Sequence, residues 1–177
     1  IITSEKSASA MNPKTTILSM LLENTYRNFV SSGVSFSMFN VEDFNQAIEK
    51  RKLIVLLNLF RLNNSEKKNI ENLFKQKNKV IYVTSGIGIF DAQGKYSKSF
   101  AEKIFQSKFI YSNEQKERSF TTTIEGKKLL NIPSNQTFTT PKPCGNVLYP
   151  VGKEWIALGK TKDGKIALGA KKLNGNL

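Results

Sequence analysis

The sequence contains no histidine, one cysteine and four arginines. Each shortage removes a class of chemistry. Without histidine, neither a Ser-His-Asp nor a Cys-His catalytic set can be assembled within the chain, and an ordinary zinc site is excluded with them. The lone cysteine, Cys144, cannot close an intrachain disulfide and leaves the redox compartment unreadable. No apolar run approaches the roughly 18 residues needed to span a bilayer. The opening Ile1-Ile2-Thr3-Ser4-Glu5 has neither the basic region nor the apolar core of a signal peptide. It starts without Met on what reads as strand, and the chain stops as abruptly after Asn174-Gly175-Asn176, so a fragment of something longer is expected.

What is present is a chain of 177 residues, long enough for one domain, or one domain with an appendage, around a real core. Its formal charge of +13 raises the question of nucleic acid. The makeup of that charge points elsewhere. Only Arg27, Arg51, Arg61 and Arg118 among the 27 basic residues carry the guanidinium that suits bidentate phosphate and base contacts. The lysines are spread along the chain, as on a solvated surface.

The chain is organised around Val80-Ile81-Tyr82-Val83 and the following Thr84-Ser85-Gly86-Ile87-Gly88-Ile89-Phe90-Asp91. An apolar β-branched run opening into a loop of small residues predicts a buried central strand of a parallel sheet. Upstream, Ile1-Ile2-Thr3 reads as the end of a first strand, and Ser4 to Pro13 as a polar loop. Ile17, Leu18, Leu21, Leu22, Tyr26, Phe29 and Val30 fall on one face of a helix between Lys14 and Ser32, stopped by Gly33. Val34 to Asn40 alternates as a strand does, and a short helix follows through Ile48. Leu53 to Leu57 reads as a second buried strand, and Asn58 to Asn64 as its exit loop. Asn64 or Ser65 is the expected cap of a helix from Glu66 to about Gln76, with Ile70, Leu73 and Phe74 inward. The alternation implies a parallel sheet with right-handed crossovers and helices on both faces.

After Asp91 the pattern changes. A turn over Asp91-Lys95 and a helix over Ser97–Phe105 precede short β segments divided by Pro, Gly and Asn. Arg118 to Ile124 reads as strand, with Glu125-Gly126-Lys127 turning after it. Lys162-Asp163-Gly164 between two apolar runs predicts a hairpin of Trp155–Lys160 with Lys165–Ala170.

Chemistry is sparse. Ser85-Gly86-Ile87-Gly88 has the look of a phosphate cradle but lacks the third glycine of the dinucleotide fingerprint and the Gly-Lys-Ser/Thr of a P-loop. Close strand-helix packing explains its glycines better. Ser85 has neither a G-x-S-x-G elbow nor a histidine base. Glu42 and Asp43 form a carboxylate pair placed where acids favour a helix start. Asp91 is suited to orient the elbow by accepting backbone N–H bonds, and Cys144, between Pro143 and Gly145, shows no base partner. Trp155, Tyr149 and the phenylalanines suit a core better than a sugar-stacking platform. No catalytic residue, metal ligand or cofactor is therefore assigned. The ligand or interface candidates are Asn58, Arg61, Ser85, Gly86, Gly88 and Asp91, at the carboxyl ends of the strands, where open α/β sheets bind ligands.

In order and spacing the chain resembles the β-galactosidase trimerisation domain, the middle domain of family-42-type glycoside hydrolases. The matching stretches are Leu21-Leu22-Glu23-Asn24-Thr25-Tyr26-Arg27 before Gly33-Val34, then Val41-Glu42-Asp43-Phe44, Leu56-Leu57-Asn58-Leu59-Phe60-Arg61-Leu62 and Val83 to Asp91, closing with Ala157 to Leu168. The resemblance implies a class I glutamine-amidotransferase-like α/β fold without the Cys-His-Glu set of those enzymes. It places the hydrolytic carboxylates on a preceding barrel that this chain lacks.

The expected fold is thus a flavodoxin-like or amidotransferase-like three-layer sandwich with a mainly parallel sheet and a C-terminal β-rich extension with a hairpin. It is expected as a single domain over 1–177, with 1–105 as the βα core and 106–177 as irregular segment and hairpin. The expected function is a non-catalytic accessory or oligomerisation domain that packs against a catalytic barrel or a neighbouring subunit, with carbohydrate as a further partner. The rival readings are a small-molecule-binding or amidotransferase-like enzyme using the 84–91 loop, and a basic nucleic-acid-binding module.

Overall fold

A computed structural model of the chain describes residues 1–4, 7, 17–84, 86–91, 93–114, 116–140 and 147–173, with the backbone alone for 17–22. They form two compact units, one built on Ile1–Ile104 and the other on Phe105–Lys172. No described helix is long and apolar enough to cross a membrane.

In the first unit, β1 (Ile2–Thr3), β2 (Phe39–Asn40), β3 (Leu53–Leu56) and β4 (Val80–Val83) make a parallel sheet in the order β2-β1-β3-β4. Ile2 stands opposite both Phe39 and Leu56, and β3 pairs with β4 in register from Leu53–Val80 to Leu56–Val83. The helices are α1 (Ile17–Ser31), α2 (Phe44–Ile48), α3 (Asn64–Lys75) and α4 (Ser99–Phe105). A mixed α/β chain with a parallel sheet is what the apolar runs implied. The core holds Ile54, Val55, Leu56 and Leu57 from the β3 run with Phe44, Ile70, Leu73 and Phe74 from the helices, all buried. The Ile70, Leu73 and Phe74 spacing puts three apolar side chains on one face of α3, as expected.

Four expectations need correction here. Val80–Val83 is an edge strand, not a central one. Among the described residues β4 pairs only with β3, and its exposure alternates, with Val80 and Tyr82 47% and 50% exposed. An apolar run reports composition and not the number of neighbours, so centre and edge look alike in sequence. Leu53, opposite Val80 on the neighbouring strand, is exposed on the same face. Of the expected strand Val34–Asn40, only Phe39–Asn40 pairs; Val34 and Met38 are exposed, while Phe36 folds back on α1 against Tyr26 and Phe29. On α1 itself, Tyr26 and Val30 are exposed rather than inward, although Gly33, at φ +70°, ends the helix as expected. Finally, the cap of α3 is Asn63. Its Oδ1 accepts from the Glu66 N–H at 2.9 Å, and Glu66 Oε2 accepts from the Asn63 N–H at 2.8 Å. Only Asn63 has a glutamate three residues on, and that reciprocal pair decides the start.

In the second unit, β5 (Lys108–Ser112) pairs antiparallel with β8 (Val147–Val151). A separate antiparallel sheet runs β10 (Ile166–Ala170), β9 (Ile156–Lys160), β6 (Ser119–Thr122), β7 (Thr137–Thr139). The expected hairpin is β9–β10, turned by Lys162-Asp163-Gly164 with Gly164 at φ +81°. Glu125-Gly126-Lys127 is not a turn. It lies in α5 (Ile124–Leu130), capped by the Thr123 hydroxyl, which accepts from the Gly126 N–H at 3.1 Å. The glycine serves close approach instead: a Cβ there would lie 2.5 Å from the Leu158 carbonyl oxygen on β9. Trp155, partly exposed, packs on Phe105 and Phe109 and donates its indole N–H to the Ser107 hydroxyl, so its ring belongs to an aromatic cluster rather than a free platform.

Candidate functional site

The carboxyl ends of β1, β3 and β4 are where a ligand would be sought. The segment after β3 begins with a reversal at Asn58, whose φ of +53° is one that asparagine tolerates better than most residues. Asn58 is 1% exposed. Its side-chain Oδ1 accepts from the Ser4 N–H at 3.3 Å, its Nδ2 donates to the Ser4 carbonyl at 3.4 Å, and its own N–H donates to the Thr84 hydroxyl at 3.2 Å. Arg61 sits at the end of the same loop. Its N–H donates to the Ser7 hydroxyl at 2.9 Å, and that hydroxyl donates to the Arg61 carbonyl at 3.0 Å. Ser7 also donates its N–H to the Ser4 hydroxyl at 3.1 Å. Ser4 and Ser7 are both fully buried.

The loop after β4 is locked to the same segment. The Gly88 N–H donates to the Leu59 carbonyl at 2.7 Å and the Phe90 N–H to the Phe60 carbonyl at 3.0 Å. Gly86 and Gly88 have φ of +93° and +59°, and Ile87 and Ile89 between and after them are buried. A Cβ on Gly86 would lie 2.8 Å from Phe60 Cδ1, and one on Gly88 would lie 2.5 Å from Phe100 Cδ1. The glycines therefore leave room for aromatic rings of the protein itself. Asp91 accepts backbone N–H bonds, but from the turn that follows: Gln93 at 3.0 Å and Lys95 at 2.8 Å, both to Oδ1.

The structure thus brings Asn58, Arg61, Gly86 and Gly88 to one rim and sets Asp91 at its outer end, while Ser85 lies outside the described residues. Glu42 and Asp43 are in a 3-10 turn, Val41–Asp43, ahead of α2. Cys144 lies outside the described residues. Sequence reading missed Ser4, Ser7, Phe60 and Phe100, the groups that fill or lace the rim. Two serines in a polar loop carry no signal of burial, and the Phe60 and Phe100 contacts span residues far apart in the chain.

No family model matches the chain, and no curated protein does. Among solved structures it is similar to the β-galactosidase of Bacillus circulans sp. alkalophilus, with a TM-score of 0.67 and 11% identity over 98% of this chain and 27% of that one. A GH42 β-galactosidase, Gan42B, is similar at a TM-score of 0.66 and 11% identity, over 98% of this chain and 26% of that one. A glutamine amidotransferase of Thermotoga maritima is similar at a TM-score of 0.54 and 10% identity, over 99% of this chain and 71% of that one. The chain spans about a quarter of each of these two β-galactosidase chains. At these identities the likeness establishes the fold: an α/β arrangement shared with amidotransferase-like proteins and with part of β-galactosidases.

Proposed function

We propose that this chain is a non-catalytic accessory or oligomerisation domain of a larger, β-galactosidase-type glycoside-hydrolase protein, of the trimerisation-domain kind. On this reading residues 1–105 are a three-layer βα core and 106–177 its β-rich extension, and the domain packs against a catalytic barrel or a neighbouring subunit. The observation that carries the reading is the filled rim. Phe60 and Phe100 occupy the space beside Gly86 and Gly88, and serine and asparagine side chains close the seam between the β1 and β3 ends. A rim packed in this way presents a shaped surface rather than a reaction chamber. The match to about a quarter of a larger chain supports the same reading, and so does a sequence that offers no histidine to a Cys-His-Glu set. Asn58, Arg61, Ser85, Gly86, Gly88 and Asp91 are then contact or contact-supporting residues.

The test is a turnover assay of the 177-residue chain with glutamine and with a nitrophenyl β-galactoside. The expected result is neither ammonia nor nitrophenol above the buffer rate. Ammonia release that disappears in Ser85→Ala or Asp91→Ala would establish the amidotransferase-like reading in its place.

A further inference from the structure

The second unit holds an open cleft of about 500 Å3 between the β5–β6 connection and the β9–β10 turn. Tyr149, 4% exposed, belongs to its lining. Arg118 organises it: Nη1 donates to the Tyr149 hydroxyl at 2.8 Å, and Nη2 donates to the Ser112 hydroxyl at 3.1 Å and to the Glu114 carbonyl at 2.6 Å. A guanidinium has no acceptor atom. Both hydroxyls must therefore accept from Arg118, and each keeps its own O–H to donate. No acceptor for either hydrogen is recorded among the described residues.

The charges point the same way. Four cations, Lys116, Arg118, Lys162 and Lys165, line the cleft with two carboxylates, Glu117 and Asp163, and a third carboxylate, Glu114, takes Lys116 at 2.6 Å. Asp163 is already engaged: Lys165 Nζ lies 2.6 Å away and the Thr161 hydroxyl donates to it at 2.5 Å. Lys162 is exposed in the hairpin turn and has no ion pair among the described residues. With Lys116 on Glu114 and Lys165 on Asp163, the donors left over are the two hydroxyl hydrogens and Lys162, against Glu117 as the one lining carboxylate without an ion pair among the described residues. The complement of these donors is a group with acceptors only and negative charge, which is an oxyanion. The cleft is several times larger than bare phosphate or sulfate and falls in the range of small-molecule sites.

We propose that this cleft binds a small organic ligand through a phosphate or sulfate group, the oxyanion taking the Ser112 and Tyr149 O–H groups and the Lys162 ammonium. The inference is independent of the packing role, which rests on the first unit.

The test is calorimetry on the whole chain at low salt with four probes: glucose 6-phosphate, glucose 6-sulfate, glucose and inorganic phosphate. At least one ester is expected to bind, and which of them binds identifies the source of the oxyanion. Tyr149→Phe keeps the ring and removes the hydroxyl, and Lys162→Glu reverses an exposed charge. Each is expected to weaken the ester about tenfold. Lys75→Glu, an equal change of net charge on exposed α3, should alter it by less than about twofold. Thermal unfolding of each variant verifies the fold. The proposal is overturned if neither ester binds, if glucose or inorganic phosphate binds as tightly as the esters, or if Lys75→Glu costs as much as Lys162→Glu.

Discussion

The side-chain amide of Asn58 pairs with the main chain of Ser4 in both directions, accepting its N–H at 3.3 Å and donating to its carbonyl at 3.4 Å. β1 ends at Thr3 and β3 at Leu56, so the pair extends the contact between neighbouring strands after the backbone of β3 has turned away at φ +53°. A side chain does there what a ladder hydrogen bond does within the sheet. Both partners are 1% exposed, so water cannot substitute for either bond.

Asn58→Ala therefore leaves two buried backbone groups of Ser4 without partners and puts a Cβ-bearing residue lacking asparagine's local bonding at positive φ. The expected loss of stability is about 2–4 kcal/mol. Urea unfolding followed by fluorescence should show a lower midpoint with an unchanged slope. A loss of stability below about 0.5 kcal/mol would mean that the Asn58–Ser4 pair holds nothing.

Gly88→Ala tests the filled rim. The new methyl would meet Phe100 Cδ1 at 2.5 Å on a residue whose φ is +59°, and about 2–4 kcal/mol of destabilisation is expected from clash and backbone together. Phe100→Leu alone costs about 1–2 kcal/mol by removing buried ring atoms. In the double variant the two losses should sum to less than their total by about 1 kcal/mol, because the smaller side chain relieves the clash. Strict additivity would show that the ring and the turn are not in contact.

The sequence made part of this visible and hid part for physical reasons. The Ile70, Leu73, Phe74 spacing is a local pattern whose period names a helix, and the short, β-branched, wholly apolar run Leu53–Leu57 names a buried strand by its length and composition. The β9–β10 hairpin was equally legible, since Asp163-Gly164 between apolar runs has few other uses. Tyr82 misled because a strand's composition does not state how many strands flank it. Gly126 misled because glycine marks turns and close contacts alike, and only the Leu158 carbonyl 2.5 Å from a hypothetical Cβ separates them. At the rim, Gly86 and Gly88 were legible as packing glycines. Ser4 and Ser7 were not, because their partners lie more than fifty residues away.

Acid should reach the β9–β10 turn through Asp163. The hydrogen bond and charge of Lys165, with the Thr161 hydroxyl, lower its pKa from 3.8 to about 2. A depressed folded-state pKa contributes stability that is present above the unfolded value and lost as pH falls through the folded one. The contribution is therefore complete by about pH 5 and is lost progressively down to about pH 1. Carboxyl carbon shifts followed by NMR should place the Asp163 midpoint near 2 and return it towards 3.8 in Lys165→Met. An Asp163 midpoint near 4 in the unaltered chain would remove the pairing from the account of this turn.

The parallel register of β3 and β4 sets Leu53 beside Val80, and Tyr82, two residues on, shares that face. All three side chains are about half exposed, at 51%, 47% and 50%. A contiguous apolar strip on a sheet face is the kind of surface that a packing domain leaves bare when its neighbour is missing. The isolated chain should accordingly enhance the fluorescence of an apolar dye such as anilinonaphthalene sulfonate and self-associate with rising concentration in sedimentation runs. Leu53→Lys with Tyr82→Lys should cut the dye signal by about half, since exposed positions carry little packing energy, with unfolding changed by less than about 1 kcal/mol. A paired control, Val30→Lys on α1, alters an exposed apolar residue off this face and should leave most of the signal. If the double variant and the control behave alike, the β3–β4 face has no special part in packing.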